Sequence, residues 1–186
     1  MEVCRAHTFS LNRSFRLRDC VCNAGFSGSD GAQCIACVPG SYKPSNGSSN
    51  CVSCDRGSYS SAEGATVCSL CPQNSDAPAQ SARKEDCKCN AGLTGPAGGP
   101  CQGCEAGKYG SVAAGDIGCV VCEAGKYSDK LGSTTCFSCP QYAMSPAGSN
   151  KTTDCKCNQG YSGNNGWPCI ACPAGQFKAA NGSAAA

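Results

Sequence analysis

The cysteines of this chain fall on a ruler. Cys20, Cys22, Cys34 and Cys37 recur as Cys87, Cys89, Cys101 and Cys104, and again as Cys155, Cys157, Cys169 and Cys172. Between these blocks Cys51, Cys54, Cys68 and Cys71 recur as Cys119, Cys122, Cys136 and Cys139. The period, read from Cys20 to Cys87 to Cys155, is 67 or 68 residues. One unit reads C-x-C, eleven residues, C-x-x-C, thirteen or fourteen, C-x-x-C, thirteen, C-x-x-C, fifteen. A fixed period of this length marks a repeat architecture, in which each unit is completed by its neighbours. The segments between the cysteines repeat too: CNAGFSG at Cys22, CNAGLTG at Cys89 and CNQGYSG at Cys157, with Asp19, Asp86 and Asp154 before the three C-x-C pairs.

Such a chain has to be held by sulfur. Its 186 residues include 21 Cys, 24 Gly and 10 Pro, with aromatics at 6% and charged residues at 15%, so one large apolar core is out of reach. Cysteine above about 8–10% in a loop-rich chain signals a disulfide scaffold made in an oxidising compartment. The simplest scheme pairs each cysteine with its neighbour across a loop: Cys4–Cys20, Cys22–Cys34, Cys37–Cys51, Cys54–Cys68, Cys71–Cys87, Cys89–Cys101, Cys104–Cys119, Cys122–Cys136, Cys139–Cys155 and Cys157–Cys169. On the chain-entropy model a ~15-residue loop contributes roughly 3 kcal/mol. A crossed scheme joining like members of successive pairs stays open, because spacing does not fix connectivity. Cys172 is left over, and its partner is expected past the last residue. By the same ruler Met1 stands where a cysteine belongs, and Ala184, Ala185 and Ala186 fall where the partner of Cys172 is due. The reading is therefore a segment of a longer chain: 1–19 the end of one repeat, 20–86 and 87–154 two whole ones, 155–186 the start of another.

Several function classes are disfavoured. Net charge is +2 and the isoelectric point about 7.7, which gives no footprint for nucleic acid or an anionic membrane. No apolar run approaches the roughly 18 residues of a membrane span. The first nineteen residues carry Arg5, Arg13, Arg16 and Arg18 in place of a signal-peptide core. C-x-x-C pairs can ligate zinc, yet His7 is the one histidine and the loops are Gly/Ser/Asn-rich, so no metal is expected. Redox use of C-x-x-C needs a helix N-terminus in a βαβ setting, which this sequence does not outline. A single histidine and scattered carboxylates offer no acid–base constellation, so neither catalysis nor a cofactor is expected.

No window carries a 3.6-residue apolar period, and Gly or Pro interrupts nearly every stretch of ten. The fold class expected is a small disulfide-rich one: an elongated tandem-repeat rod of loops and short β-hairpins with almost no helix. Segments such as Gly40-Ser41-Tyr42-Lys43 and Gly107-Lys108-Tyr109 predict hairpin ladders of two or three residues, the ring covering an adjacent disulfide. The glycine two residues before each ring, at Gly40, Gly57, Gly107, Gly125 and Gly175, is expected to take a positive φ.

Four N-x-[S/T] sequons start at Asn12, Asn46, Asn150 and Asn181, and Asn46 and Asn181 hold equivalent places two repeats apart. They are the expected glycan sites. Residues 5–18 differ from the matching loops 72–86 and 140–154 in being Arg-rich, with Phe9 and Phe15, and read either as a solvated loop or as a docking segment. Trp167, in the place of Ala32 and Gly99, reads as a cover for its own loop or as an exposed contact.

The run CIACVPGSYKPSNGSSNCVSCDRGSYSSAEGATVCSLCP, followed by DCKCNAG, resembles the ephrin-receptor-like cysteine-rich repeat, a relative in style of tumour necrosis factor receptor modules. CNAGFSGSDGAQC is similar to the last loop of an EGF-like module. Together these likenesses run from Cys20 to Cys172, and they imply an extracellular or cell-surface setting with a fold of loops and strands. No ephrin-binding domain or kinase accompanies them. Tandem C-x-C-N-A-G units resemble those of large surface proteins of algae and other protists, some of which are similar to flagellar-hair and cell-coat components. The function expected is thus structural: a glycosylated rod assembling with itself or with other surface glycoproteins. The alternative is the stalk or ligand-binding ectodomain of a cell-surface receptor or adhesion protein.

Overall fold

The computed structural model of the chain describes residues 4–10, 16–111 and 118–183. Among them, ten antiparallel two-stranded sheets follow one another, each joining strands consecutive in sequence. The first pairs Thr8–Ser10 with Cys20–Cys22. All the others are two residues long on each side, as in Ser41–Tyr42 against Val52–Ser53, where Tyr42 faces Val52. What limits each strand is the turn before it. Gly40, Gly57, Gly107, Gly125 and Gly175 have φ between 78° and 86°, a region closed to most side chains, so the chain bends there and extended backbone begins anew. Helix among the described residues is limited to single 3₁₀ turns at Leu17–Asp19, Lys84–Asp86 and Thr152–Asp154. These turns account for the recurrent aspartate. Asp86 accepts hydrogen bonds from the backbone N–H groups of Ala82 and Arg83, and Asp154 from those of Asn150 and Lys151, which closes the turn that leads into each C-x-C.

Each hairpin is closed by one disulfide. The bonds are Cys4–Cys20, Cys22–Cys34, Cys37–Cys51, Cys54–Cys68, Cys71–Cys87, Cys104–Cys119, Cys122–Cys136, Cys139–Cys155 and Cys157–Cys169. Cys89 and Cys101 are disulfide-bonded as well. Cys172 is a free thiol. The crossed scheme is not formed, and its geometry explains why: a two-residue ladder brings the two ends of one loop together, with Cα atoms 5.5–5.8 Å apart.

The interior is mostly sulfur and hydroxyl. Cys22, Cys37, Cys54, Cys87, Cys104, Cys122, Cys155 and Cys157 are buried, along with Ser41, Ser58, Ser60, Ser128 and Ser145. Buried serines remain affordable because several bond the turn beside them; the Ser41 hydroxyl donates to Val38 O and that of Ser58 to Asp55 O. Tyr42, Tyr59, Tyr109 and Tyr127 are only half-buried. The apolar residues inside the C-x-x-C steps point outward, Leu70 being 82% exposed and Ile35 and Ile170 nearly as much.

Contacts group the chain into two compact units, Met1–Cys89 with Pro96–Pro100, and Asn90–Gly95 with Cys101–Ala186. In the first unit, successive hairpins are joined main chain to main chain. The turn glycines Gly25, Gly40 and Gly57 donate to Lys43 O, Ser60 O and Ala77 O of the following hairpin, at 2.8–2.9 Å. Each loop then reaches back: Gly47, Gly64 and Gln80 donate at 2.8 Å to the carbonyls of Cys22, Cys37 and Cys54, the opening cysteine of the hairpin before. The same wiring organises the second unit. Gly92, Gly107, Gly125 and Gly160 donate forward to Gly110, Ser128, Ser145 and Lys178, while Gly132, Gly148 and Gly182 donate back to Cys104, Cys122 and Cys157. The back-reaching loops leave no room over several of the turn glycines: a Cβ on Gly25 would overlap the Gly64 carbonyl, and one on Gly92 the Gly132 carbonyl.

Candidate functional site

Lys43 follows the strand Ser41–Tyr42 and is 1% exposed, which is rare for the residue type best suited to water. Its ammonium donates to main-chain carbonyls: Phe26 O at 2.7 Å, Cys22 O and Asn23 O at 3.4 Å each, and Gly47 O. Three N–H donors thus serve four acceptors. Burial pushes the Lys43 pKa below the ordinary lysine range, the charge of Asp30 opposing that shift.

This lysine sits at the root of a sequon. In Asn46-Gly47-Ser48 the Asn46 side chain is exposed and its Oδ1 accepts from the Ala24 N–H at 2.8 Å. Gly47 is held at both ends of its peptide, its N–H donating to Cys22 O at 2.8 Å and its carbonyl accepting from Lys43. Two repeats on, Lys178 is 7% exposed and donates to Tyr161 O at 2.7 Å, Cys157 O at 3.4 Å and Gly182 O, the centre of Asn181-Gly182-Ser183. The middle repeat has Gly110 where these lysines stand, and no asparagine in the loop 111–118 that follows.

The remaining sequons differ. Asn150 is exposed and its backbone N–H donates to Asp154, ahead of the 3₁₀ turn Thr152–Asp154. Asn12 lies outside the described residues, as do Arg13 and Phe15 of the Arg-rich loop; Arg5, Arg16 and Arg18 are exposed and Phe9 is 43% exposed. Trp167 is 69% exposed and so does not lie buried over its own loop. Ring stacking occurs elsewhere, His7 on Phe26 and Tyr142 on Tyr161, both with centroids 4.2 Å apart and at equivalent places two repeats apart.

Lys43 and Lys178 were not legible as special from the sequence. A lysine in a Gly/Ser-rich loop reads as solvated, and the signal available was relational: the lysine precedes the sequon by three residues in two repeats, and both are missing from the third.

Residues 45–87 match the family model described as tyrosine-protein kinase ephrin type A/B receptor-like. That stretch is similar to the ephrin-receptor-like cysteine-rich repeat. It opens beside Asn46 and runs through Cys51, Cys54, Cys68 and Cys71 to Cys87, taking in both ends of the disulfides Cys54–Cys68 and Cys71–Cys87. With disulfides closing hairpin after hairpin, the ephrin-receptor-like repeat marks an extracellular or secreted domain. A search of the curated proteins found no match. Among the described residues no helix is long and apolar enough to cross a membrane.

Proposed function

We propose that this chain is an extracellular structural protein: a glycosylated repeat rod that assembles with itself or with other surface glycoproteins into a filament or coat of the flagellar-hair kind. In this reading it catalyses nothing, its repeats divide at residues 20, 87 and 155, and Asn12, Asn46, Asn150 and Asn181 carry its sugar. The observation that supports it best is the main-chain wiring. The same donor and acceptor positions recur from hairpin to hairpin within each unit, so another hairpin is added by repeating an existing contact. Electron microscopy of the secreted protein tests it. Fibrous particles with an axial repeat set by the 67- or 68-residue period are expected. Monodisperse globular monomers would count against assembly.

A second reading, the stalk or ligand-binding ectodomain of a cell-surface receptor, is favoured by the receptor-like match at residues 45–87. A membrane-spanning segment encoded downstream in the full gene separates it from the first.

A further inference from the structure

We infer that the buried lysine and the asparagine three residues after it form one unit, Lys43 with Asn46 and Lys178 with Asn181, whose task is to present an N-linked glycan at a fixed orientation. The inference rests on the glycoprotein reading above and adds a positioning residue to it. Its first ground is that the forward bond between hairpins does not require the lysine. Where Gly110 replaces it, the forward bond from Gly92 N–H to the carbonyl of residue 110 still forms, at 2.8 Å, as Gly25 bonds Lys43 and Gly160 bonds Lys178. Placing an ammonium in a buried cage of carbonyls is costly, and a chain that needed only the stack could dispense with it, as the middle repeat does.

The second ground is what the ammonium holds. In both repeats it grips the carbonyl of the sequon's central glycine, Gly47 or Gly182, whose N–H is fixed to the carbonyl of Cys22 or Cys157. The sequon's middle peptides therefore cannot swing. At Asn46 the Oδ1 atom is also fixed, by Ala24 N–H, while the residue remains exposed. A sugar on Nδ2 would leave the surface from an amide whose other atom is held. The attachment itself needs an activated glycosyl pyrophosphate: Nδ2 bonds the anomeric carbon, the pyrophosphate leaves with the bonding pair, and the amide gives one proton to the transferase. Asn150 is placed differently: its backbone N–H makes the turn-closing bond to Asp154.

The test is made on the full chain, secreted from a glycosylating eukaryotic cell with isotope-labelled sugar. Occupancy is read by glycopeptide mass spectrometry, and the order of the innermost sugar by NMR relaxation. At Asn46 and Asn181 the sugar is expected to move with the backbone, with an order parameter above about 0.8, and K43M is expected to drop the Asn46 value below about 0.6. K178M should do the same at Asn181 alone, and each variant should leave the other site unchanged. Release by a peptide amidase at the affected asparagine should quicken about tenfold, as expected when a loop is freed to open. An Asn46 sugar equally mobile in native protein and K43M would overturn the lysine's role while leaving the glycoprotein reading standing. Bare Asn46 and Asn181 would overturn the unit, and bare Asn12 and Asn150 besides would overturn the glycoprotein reading with it. Should K43M not be secreted, the native protein decides: an Asn46 sugar looser than the neighbouring backbone amides refutes the unit, and one that matches them supports it.

Discussion

Gly92 and Gly57 share a backbone conformation, with φ 81° and 78°, and differ in what stands above them. A Cβ on Gly92 would overlap the carbonyl of Gly132, whereas one on Gly57 would meet only the Asp76 Oδ1 atom, at 3.3 Å. Alanine at either position meets left-handed strain of about 1–2 kcal/mol. At Gly92 the overlap with main chain is added, so Gly92→Ala should destabilise its unit by about 2–4 kcal/mol and Gly57→Ala by clearly less. Denaturant unfolding of the oxidised proteins measures the difference, and equal losses would show that the back-reaching loop yields freely. Lys43 gives a second expectation at this scale. Its pKa is lowered by burial, so as pH rises the folded chain releases this proton before the unfolded chain does. Within that window the unfolded state holds more protons, and stability therefore rises with pH up to the ordinary lysine range. The rise should vanish in K43M; unfolding midpoints compared between the two proteins, with Cys172 blocked against exchange, read it directly.

The hairpin is the element that sulfur makes possible. A ladder of two residues per strand cannot stand alone in water, and the disulfide across its base supplies what the ladder lacks. Removing one, as in the double variant Cys54→Ser with Cys68→Ser, should cost about 3 kcal/mol, and the loss should stay local. Amide exchange is expected to quicken at Cys54 and Gln80, whose bonds to Gly40 O and Cys54 O frame that hairpin, and to hold steady at Gly31, bonded to Cys20 O. Uniform quickening across the unit would mean that its hairpins melt together. At this scale the sequence was most readable. Separations of 12 to 16 residues suit a loop closing on itself, and the glycine before each aromatic residue announces a backbone that other residues avoid. Less was legible inside the hairpin. Tyrosines that look like a core sit half in water, because the space between strands so short is already taken by half-cystines and serines. Nor does a loop glycine declare which carbonyl it will meet, since a main-chain bond leaves no side-chain trace; Gln80, in the same role with φ 66°, has no glycine to betray it.

Across the whole molecule, charge plays a minor part. The ion pairs Arg56–Asp76, Glu105–Lys108 and Glu123–Lys126 are largely exposed, so each is worth little in water. Raising the salt from dilute buffer to molar concentration should accordingly shift unfolding free energy by under about 1 kcal/mol, whereas a reductant should abolish the fold. A strong salt response would point to electrostatic terms that the main-chain wiring does not include. That wiring also bears on inheritance. Neighbouring hairpins recognise one another through N–H and C=O groups that every residue but proline possesses, so outward side chains can be exchanged without the next hairpin registering the change. A lineage carrying this chain is free to repaint its outer face, in charge, sugar or greasiness, as long as the sulfur and the turn glycines are passed on intact.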